Sequence, residues 1–196
     1  MSDCFCKSDL RDFCDLMMLP DGTPIIPVDM LDWLARKGFF RSPASTRFHG
    51  SYAGGLCEHS VRVFHRLKLM ANALATEIPG YSDETLAIVA LCHDLCKCQF
   101  YKPGYRNVKD DATGRWERVP TFTVEEAFPF GGHGSKSVYL VQKFLKLTDE
   151  EAVAINCHMG FADQKDMSSV SKAYETYPLA WMLHVADEMS TYIDKI

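Results

Sequence analysis

Between Ser82 and Lys97 the chain reads Ser-Asp-Glu-Thr-Leu-Ala-Ile-Val-Ala-Leu-Cys-His-Asp-Leu-Cys-Lys, and the unbroken apolar run from Leu86 to Cys92 constrains the fold more than any other stretch. Seven apolar residues fall far short of the ~20 that a membrane span needs. They suit a helix covered on every side by other helices. A helix buried in this way carries the residues at its C-terminal end into the core, and here those residues are His93-Asp94. An imidazole beside a carboxylate is costly to bury without compensation, which a divalent metal would supply. A structural His–Asp hydrogen bond would also answer.

The rest of the chain supports an all-α architecture. Amphipathic periodicity predicts helices over Asp9–Leu19 and Val28–Lys37, stopped by Pro20-Asp-Gly22 and Gly38. A loop rich in Ser, Gly and Pro covers Phe39–Gly55, and a long helix is predicted from Leu56 to about Ile78. Ser82, with Asp83 and Glu84 behind it, caps the next helix, expected to reach Cys96. The period breaks over 99–124, where Tyr105–Val108 and Trp116–Phe122 flank Asp110–Gly114; a small β-hairpin or ordered excursion, placed as a lid, is expected there. A helix over Ser135–Leu147 follows, then one opened by the capping box of Thr148 and Glu151 and ending near His158–Gly160. The last opens at Pro178 and runs toward Tyr192. Residues 1–47 are expected to pack as an N-terminal helical segment on a main domain of 48–196, because Leu31, Trp33, Leu34, Phe39 and Phe40 offer more apolar surface than two isolated helices could leave wet.

Composition narrows the function classes. Twenty-one Lys and Arg against 26 Asp and Glu leave a net charge of −5, which disfavours binding of extended nucleic acid over the whole surface. The N-terminus has neither the basic start nor the apolar stretch of a secretory signal, so a cytoplasmic location without membrane attachment is expected, with reduced thiols. None of the eight cysteines forms a C-x-x-C pair. Cys57, Cys92, Cys96 and Cys157 sit among apolar neighbours and read as small buried hydrophobes.

Besides His93-Asp94, potential ligands stand one per helix or helix edge: His59 after Gly54-Gly-Leu-Cys-Glu58, His133 in Gly131-Gly-His-Gly134, His158 in Ile155-Asn-Cys-His158, and Asp187 in Leu183-His-Val-Ala-Asp187. Helical bundles build metal sites in this way, from facing helices. His65, six residues beyond His59, is turned away from it and reads as packing or surface. His184, three residues before Asp187 on the same helical face, could brace a ligand from behind, but it reads first as a satisfied core histidine. Glu58 and Asn156 flank candidate ligands, where a supporting hydrogen bond and plain solvation are both open.

In order, His59, His93-Asp94 and Asp187 resemble the H…HD…D signature of the HD-domain metal-dependent phosphohydrolase superfamily. His133 and His158 resemble the extra histidines of its binuclear H…HD…H…H…D branch. The segment Phe48-His-Gly-Ser-Tyr-Ala-Gly-Gly-Leu-Cys-Glu-His59 is similar to the one that opens the HD domains of certain bacterial 3′-to-5′ exoribonucleases. Two departures stand out: Cys96 occupies the place of a common Gly in an HD-x-G-K pattern, and residues 1–47 are not expected to form the oligonucleotide-binding domain that precedes the HD region in those exoribonucleases.

The resemblance implies an HD-domain helical bundle in which His59, His93, Asp94 and Asp187 hold one divalent transition metal ion, and Asp94 bridges to a second held by His133 and His158. Mixed imidazole and carboxylate ligation suits Mn, Fe, Co, Ni or Zn. The implied activity is a phosphohydrolase or phosphodiesterase in which hydroxide activated by the two ions attacks a small phosphorylated, nucleotide-like substrate or short phosphodiester. Asp94, Lys97 and His49 are its catalytic candidates. Lys97 would offset charge on a phosphate, and His49 would bind phosphate or protonate the leaving oxygen. A solvated lysine at a helix C-terminus and a turn histidine would look the same in sequence. Basic and aromatic residues interleave on the excursion, among them Lys102, Tyr105, Arg106, Trp116 and Arg118. They could hold phosphates and stack on a base, although surface hairpins are often built like this. Two other readings share the ligand pattern: an HD-fold di-iron oxygenase, and a non-catalytic sensor module stabilised by metal.

Overall fold

The computed structural model describes residues 7–162 and 167–194; Cys4 and Cys6 lie outside these. The all-α expectation holds, with eight α-helices and one two-stranded hairpin among the described residues. At the centre is α4 (Asp83–Cys92), in which every residue from Leu86 to Cys92 is buried. Ser82 caps it by accepting a hydrogen bond from the Thr85 amide at 3.1 Å. It lies against α3 (Gly55–Ala73) and α6 (Asp149–Cys157), while α8 (Pro178–Met189) packs on both α3 and α6. The expected capping box opens α6: Thr148 and Glu151 satisfy each other's backbone amides. Pro178 stands in the first turn of α8, where its missing N–H costs nothing.

Two peripheral helices, α1 (Lys7–Leu16) and α2 (Val28–Arg36), send Phe13, Met30 and Leu34 into the same apolar cluster as Leu56, Leu67 and Leu91. Phe13, Phe39 and Phe40 meet there with ring centroids 5.1–5.3 Å apart.

Several helices end earlier than their sequence pattern suggests. α3 stops at Ala73 rather than near Ile78, since residues 75–77 face solvent and the chain closes in tight turns onto the Leu74 carbonyl. α4 ends at Cys92, and a 3₁₀ turn over Leu95–Lys97 follows it. α5 spans His133–Val141, not 135–147, and gives way to turns at Lys143–Leu145. A helix that the sequence pattern did not suggest, α7 (Met167–Thr176), packs Val170 and Ala173 against α8. After Met189 the last helix widens into a π-helical turn, Ser190–Asp194.

The excursion is an antiparallel hairpin of β1 (Tyr101–Lys109) and β2 (Trp116–Val124), with Tyr101 opposite Val124 and Lys109 opposite Trp116. Its base is tied to the loop ahead of α3: the Thr121 hydroxyl donates to the Thr46 carbonyl at 2.9 Å. No described helix is long and apolar enough to cross a membrane.

Candidate metal centre

Each buried histidine is delivered by a helix end and held by one ring nitrogen. His93 follows the last residue of α4, and its Nδ1 lies 2.7 Å from the Ala90 carbonyl. His158 follows α6 in the same way, with Nδ1 2.7 Å from the Ile155 carbonyl. These ring contacts take up last-turn carbonyls that a continuing helix would bond through its own amides, which is one reason both helices stop there. His59, in the first turns of α3, sets Nδ1 3.1 Å from the Ser190 hydroxyl on the π-helical turn. Such turns often sit at functional sites.

With a carbonyl as partner, Nδ1 of His93 and of His158 must carry the proton, so in the neutral ring Nε2 bears a lone pair. All three ε2 nitrogens are buried without a hydrogen-bond partner, and they converge on carboxylates. His59 Nε2 lies 3.0 Å from Asp187 Oδ1, His93 Nε2 3.4 Å from Asp94 Oδ2, and His158 Nε2 3.6 Å from Asp94 Oδ1. For His93 and His158, lone pairs facing carboxylate oxygens at these distances repel unless a cation stands between them. The donor set therefore fits divalent metal, and two groups have mutually adjacent ligand atoms: His59, His93 and Asp187, and His93, Asp94 and His158.

Electrostatics agree with a site that keeps its carboxylates ionised. Burial opposes the charge on Asp94, but Lys97 and His93 outweigh it and hold the carboxyl well below the usual range. Lys97 Nζ is 2.6 Å from Asp94 Oδ2, across one turn of 3₁₀ helix. Burial disfavours the Lys97 ammonium; Asp94 more than compensates and its pKa is raised. Asp187 is likewise lowered against the effect of burial, chiefly through His59. Burial lowers His59, whereas Asp94 overcomes burial at His93 and raises it.

Of the six ligand candidates, the fold brings His59, His93, Asp94, His158 and Asp187 together. His133, the first residue of α5, stands one contact away: its Nδ1 touches the Cys96 sulfur at 3.3 Å, and it lies outside both mutually adjacent groups. α5 comes close to α6 because Gly134 has no side chain; a Cβ there would sit 2.1 Å from the Asn156 carbonyl oxygen. His49 is at the site as well. Its ring centroid is 4.9 Å from that of His59 and neither ring nitrogen has a hydrogen-bond partner. Burial, reinforced by His59 and Lys97, pushes it down to about 4. The Gly54-Gly55 pair makes this approach feasible: Gly54 adopts φ 93°, and a Cβ on Gly55 would collide with the Gly50 carbonyl at 2.1 Å.

Other candidates fall elsewhere. His65 is exposed beside Phe64, and Glu58 is engaged by Arg62 and Tyr52 on the α3 surface. His184 donates from Nδ1 to the His158 carbonyl at 2.8 Å, so it braces a ligand from behind. On the hairpin, Arg118 stacks over Tyr105 and Lys102 pairs with Glu125, while Trp116 is exposed. The sequence pattern missed Ser190 and the placement of Cys96. Ser190 lies three residues beyond Asp187, one turn along the same helix, which is the one signal that could have found it.

A family model described as HD domain matches residues 56–192. No curated protein and no solved structure matches the chain.

Proposed function

Since the chain belongs to the HD-domain family, whose members are mostly metal-dependent phosphohydrolases, we propose that this protein hydrolyses a small phosphorylated, nucleotide-like substrate or short phosphodiester at the Asp94 centre. The observation that carries the reading is the convergence of three buried, unpartnered ε2 nitrogens on Asp94 and Asp187. His59, His93, Asp94 and Asp187 would hold one divalent transition metal ion and Asp94, His133 and His158 a second, and the chemistry such ions would supply is a water of lowered pKa and positive charge for the phosphoryl oxygens.

The chain's own residues do the rest. Asp94, ionised and buried, offers one oxygen to each half of the site. Lys97 is placed to turn its ammonium from Asp94 toward a phosphate oxygen and offset the charge that grows there. His49 presents an uncommitted N–H to the same region, suited to holding a phosphate oxygen or the leaving group. A nucleotide-like substrate is favoured by the two residues that precede His49 in the chain: Phe48 is exposed and carries the Arg47 guanidinium over its ring, 4.8 Å from the centroid.

The test is a panel of phosphomonoesters, cyclic nucleotides and short phosphodiesters, assayed after chelation and after adding back Mn, Fe, Co, Ni or Zn. Activity should disappear with chelator, return with metal, and fall at least ~10³-fold in Asp94→Ala, in line with the several kcal/mol that such ions contribute. Full activity in Asp94→Ala, or oxygen consumption with iron in place of phosphoester cleavage, would contradict the proposal.

A further inference from the structure

Outside the metal centre, the end of α2, the turn after Lys97, the loop ahead of α5 and α5 itself enclose a cavity of about 240 Å³. Trp33, Lys37, Gln99, Phe128, Lys136 and Lys143 are among its lining residues, and none of the described residues that line it is acidic. Three lysines around one hollow stand out in a chain of net charge −5. Lys136 is buried and pairs with Glu126 at 2.8 Å. Among the described residues, neither Lys37 nor Lys143 has a carboxylate partner. Like charges gathered in this way repel until an anion joins them.

The same hollow has aromatic walls. The ammonium groups of Lys136 and Lys143 stand 5.7 and 5.6 Å from the centroid of the Phe128 ring. Phe128, Phe130 and Tyr139 follow one another in a nearly parallel row, with centroids 5.6 and 4.4 Å apart, and all three rings are exposed. Trp33 lines the cavity from α2. At its edge Gln99 adopts φ 56°, the one non-glycine residue with positive φ among the described residues. Backbone in that region persists where its surroundings fix it, and such positions cluster at ligand clamps. A concave site with ring faces and a few convergent charges is the usual build of a small-molecule pocket.

We propose that this cavity binds a small organic phosphate carrying one planar ring, of the nucleoside monophosphate class, with the phosphate on the lysines and the ring against the aromatic walls. Because Glu126 already neutralises Lys136, Lys37 and Lys143 leave two uncompensated positive charges, which match the charge of about −1.5 to −2 on a phosphomonoester at pH 7. A carboxylate would leave one of them unmatched. The volume, just under the ~300–1,000 Å³ of drug-sized pockets, suits one ring and one phosphate rather than a longer chain. None of the lining residues is a candidate metal ligand, so binding needs no metal ion. The site still adjoins the metal centre: Lys136 stands one helical turn after His133 and shares with it a smaller neighbouring cavity.

Calorimetric titration of the chelator-treated, full-length protein with adenosine 5′-monophosphate tests the proposal without involving the metal centre. Saturable binding of one molecule per chain is expected. Lys37→Ala and Lys143→Ala should each weaken it ~10-fold, as loss of a charged hydrogen-bond donor does. Adenosine alone and inorganic phosphate alone should each bind at least ~10-fold more weakly, since each meets only half of the site. Emission of Trp33 should be quenched in step with the heat, and Trp33→Phe should lose the quenching. No saturable binding to the chelated wild type overturns the proposal whatever the variants do. Affinity unchanged in the Lys37→Ala/Lys143→Ala double variant places the ligand elsewhere and overturns it too. Inorganic phosphate binding as tightly as the nucleotide overturns the ring-bearing class. None of these outcomes bears on phosphoester hydrolysis at Asp94, which the metal add-back assay tests separately.

Discussion

His93 and His158 occupy equivalent places on two different helices, and each faces a different oxygen of Asp94: His93 Nε2 lies 3.4 Å from Oδ2 and His158 Nε2 lies 3.6 Å from Oδ1. Each follows the final residue of its helix and anchors Nδ1 on the carbonyl three residues back. The carboxylate is thereby shared between two half-sites. On the Oδ2 side stand His59 and Lys97, and on the Oδ1 side stands Cys96.

Metal should stabilise the fold, because the ligand atoms repel one another without it. At a free concentration one hundred times its dissociation constant, a divalent ion adds about 2.7 kcal/mol. In a chain of this size that raises the melting temperature by ~5–10 °C. Thermal melts of chelated protein, with and without added Zn or Mn, measure the shift. Asp94→Ala should show almost none of it.

Ser190→Ala should weaken metal binding without touching a ligand. The hydroxyl is the sole hydrogen-bond partner of His59 Nδ1 among the described residues, and it fixes which nitrogen faces Asp187. Loss of such a partner costs ~10–100-fold in metal affinity and leaves a buried nitrogen unsatisfied, at ~1–3 kcal/mol. Metal titration by calorimetry and urea unfolding check the two effects separately.

Gly134→Ala should be among the most damaging single-methyl additions in the molecule. The new Cβ would meet the Asn156 carbonyl at 2.1 Å, so α5 and α6 must part and carry His133 away from His158. A loss of ~3 kcal/mol or more is expected from the overpacking, against a small change for Gly80→Ala, where a Cβ meets nothing within 4 Å. Urea denaturation of the two variants makes the comparison.

The Arg66–Asp194 pair clamps the π-helical turn onto α3 and should give an acid-sensitive contribution to stability. Hydrogen bonds from Arg66 hold the Asp194 carboxyl below its ordinary value. A depressed native pKa means that the contribution is complete above the unfolded carboxylate pKa, near 3.9, and is lost as pH falls through the native one. The stability difference between wild type and Asp194→Asn should be constant from about pH 5 to 7 and shrink below about pH 4, as followed by urea melts across that range.

The helical core was legible in the sequence because a wholly apolar run is a strong local pattern, whereas the expectation that His59, His93, Asp94, His158 and Asp187 share a site came from the resemblance to the HD-domain family. A wholly apolar helix must be central, and polar residues at its end must then be inside. α7 was not legible: its opening Met167-Ser-Ser-Val-Ser reads as loop, since serines compete for backbone hydrogen bonds, and only Val170 and Ala173 are buried in it. Helix ends were misplaced where side chains claim last-turn carbonyls, as His93 does at Ala90. Cys96 read as a small buried hydrophobe, and buried it is. Its contact with His133 joins segments 37 residues apart and has no local signature.

The central claim is that these side chains gather around divalent transition metal, and anomalous X-ray diffraction from crystals grown with Zn or Mn tests it most directly. The account predicts anomalous peaks within about 2.0–2.3 Å of His59 Nε2, His93 Nε2, Asp94 and Asp187, with Asp94 shared by a second peak on the His158 side. Maps that show no anomalous density beside Asp94 at saturating metal, or density only at other surface sites, would contradict it.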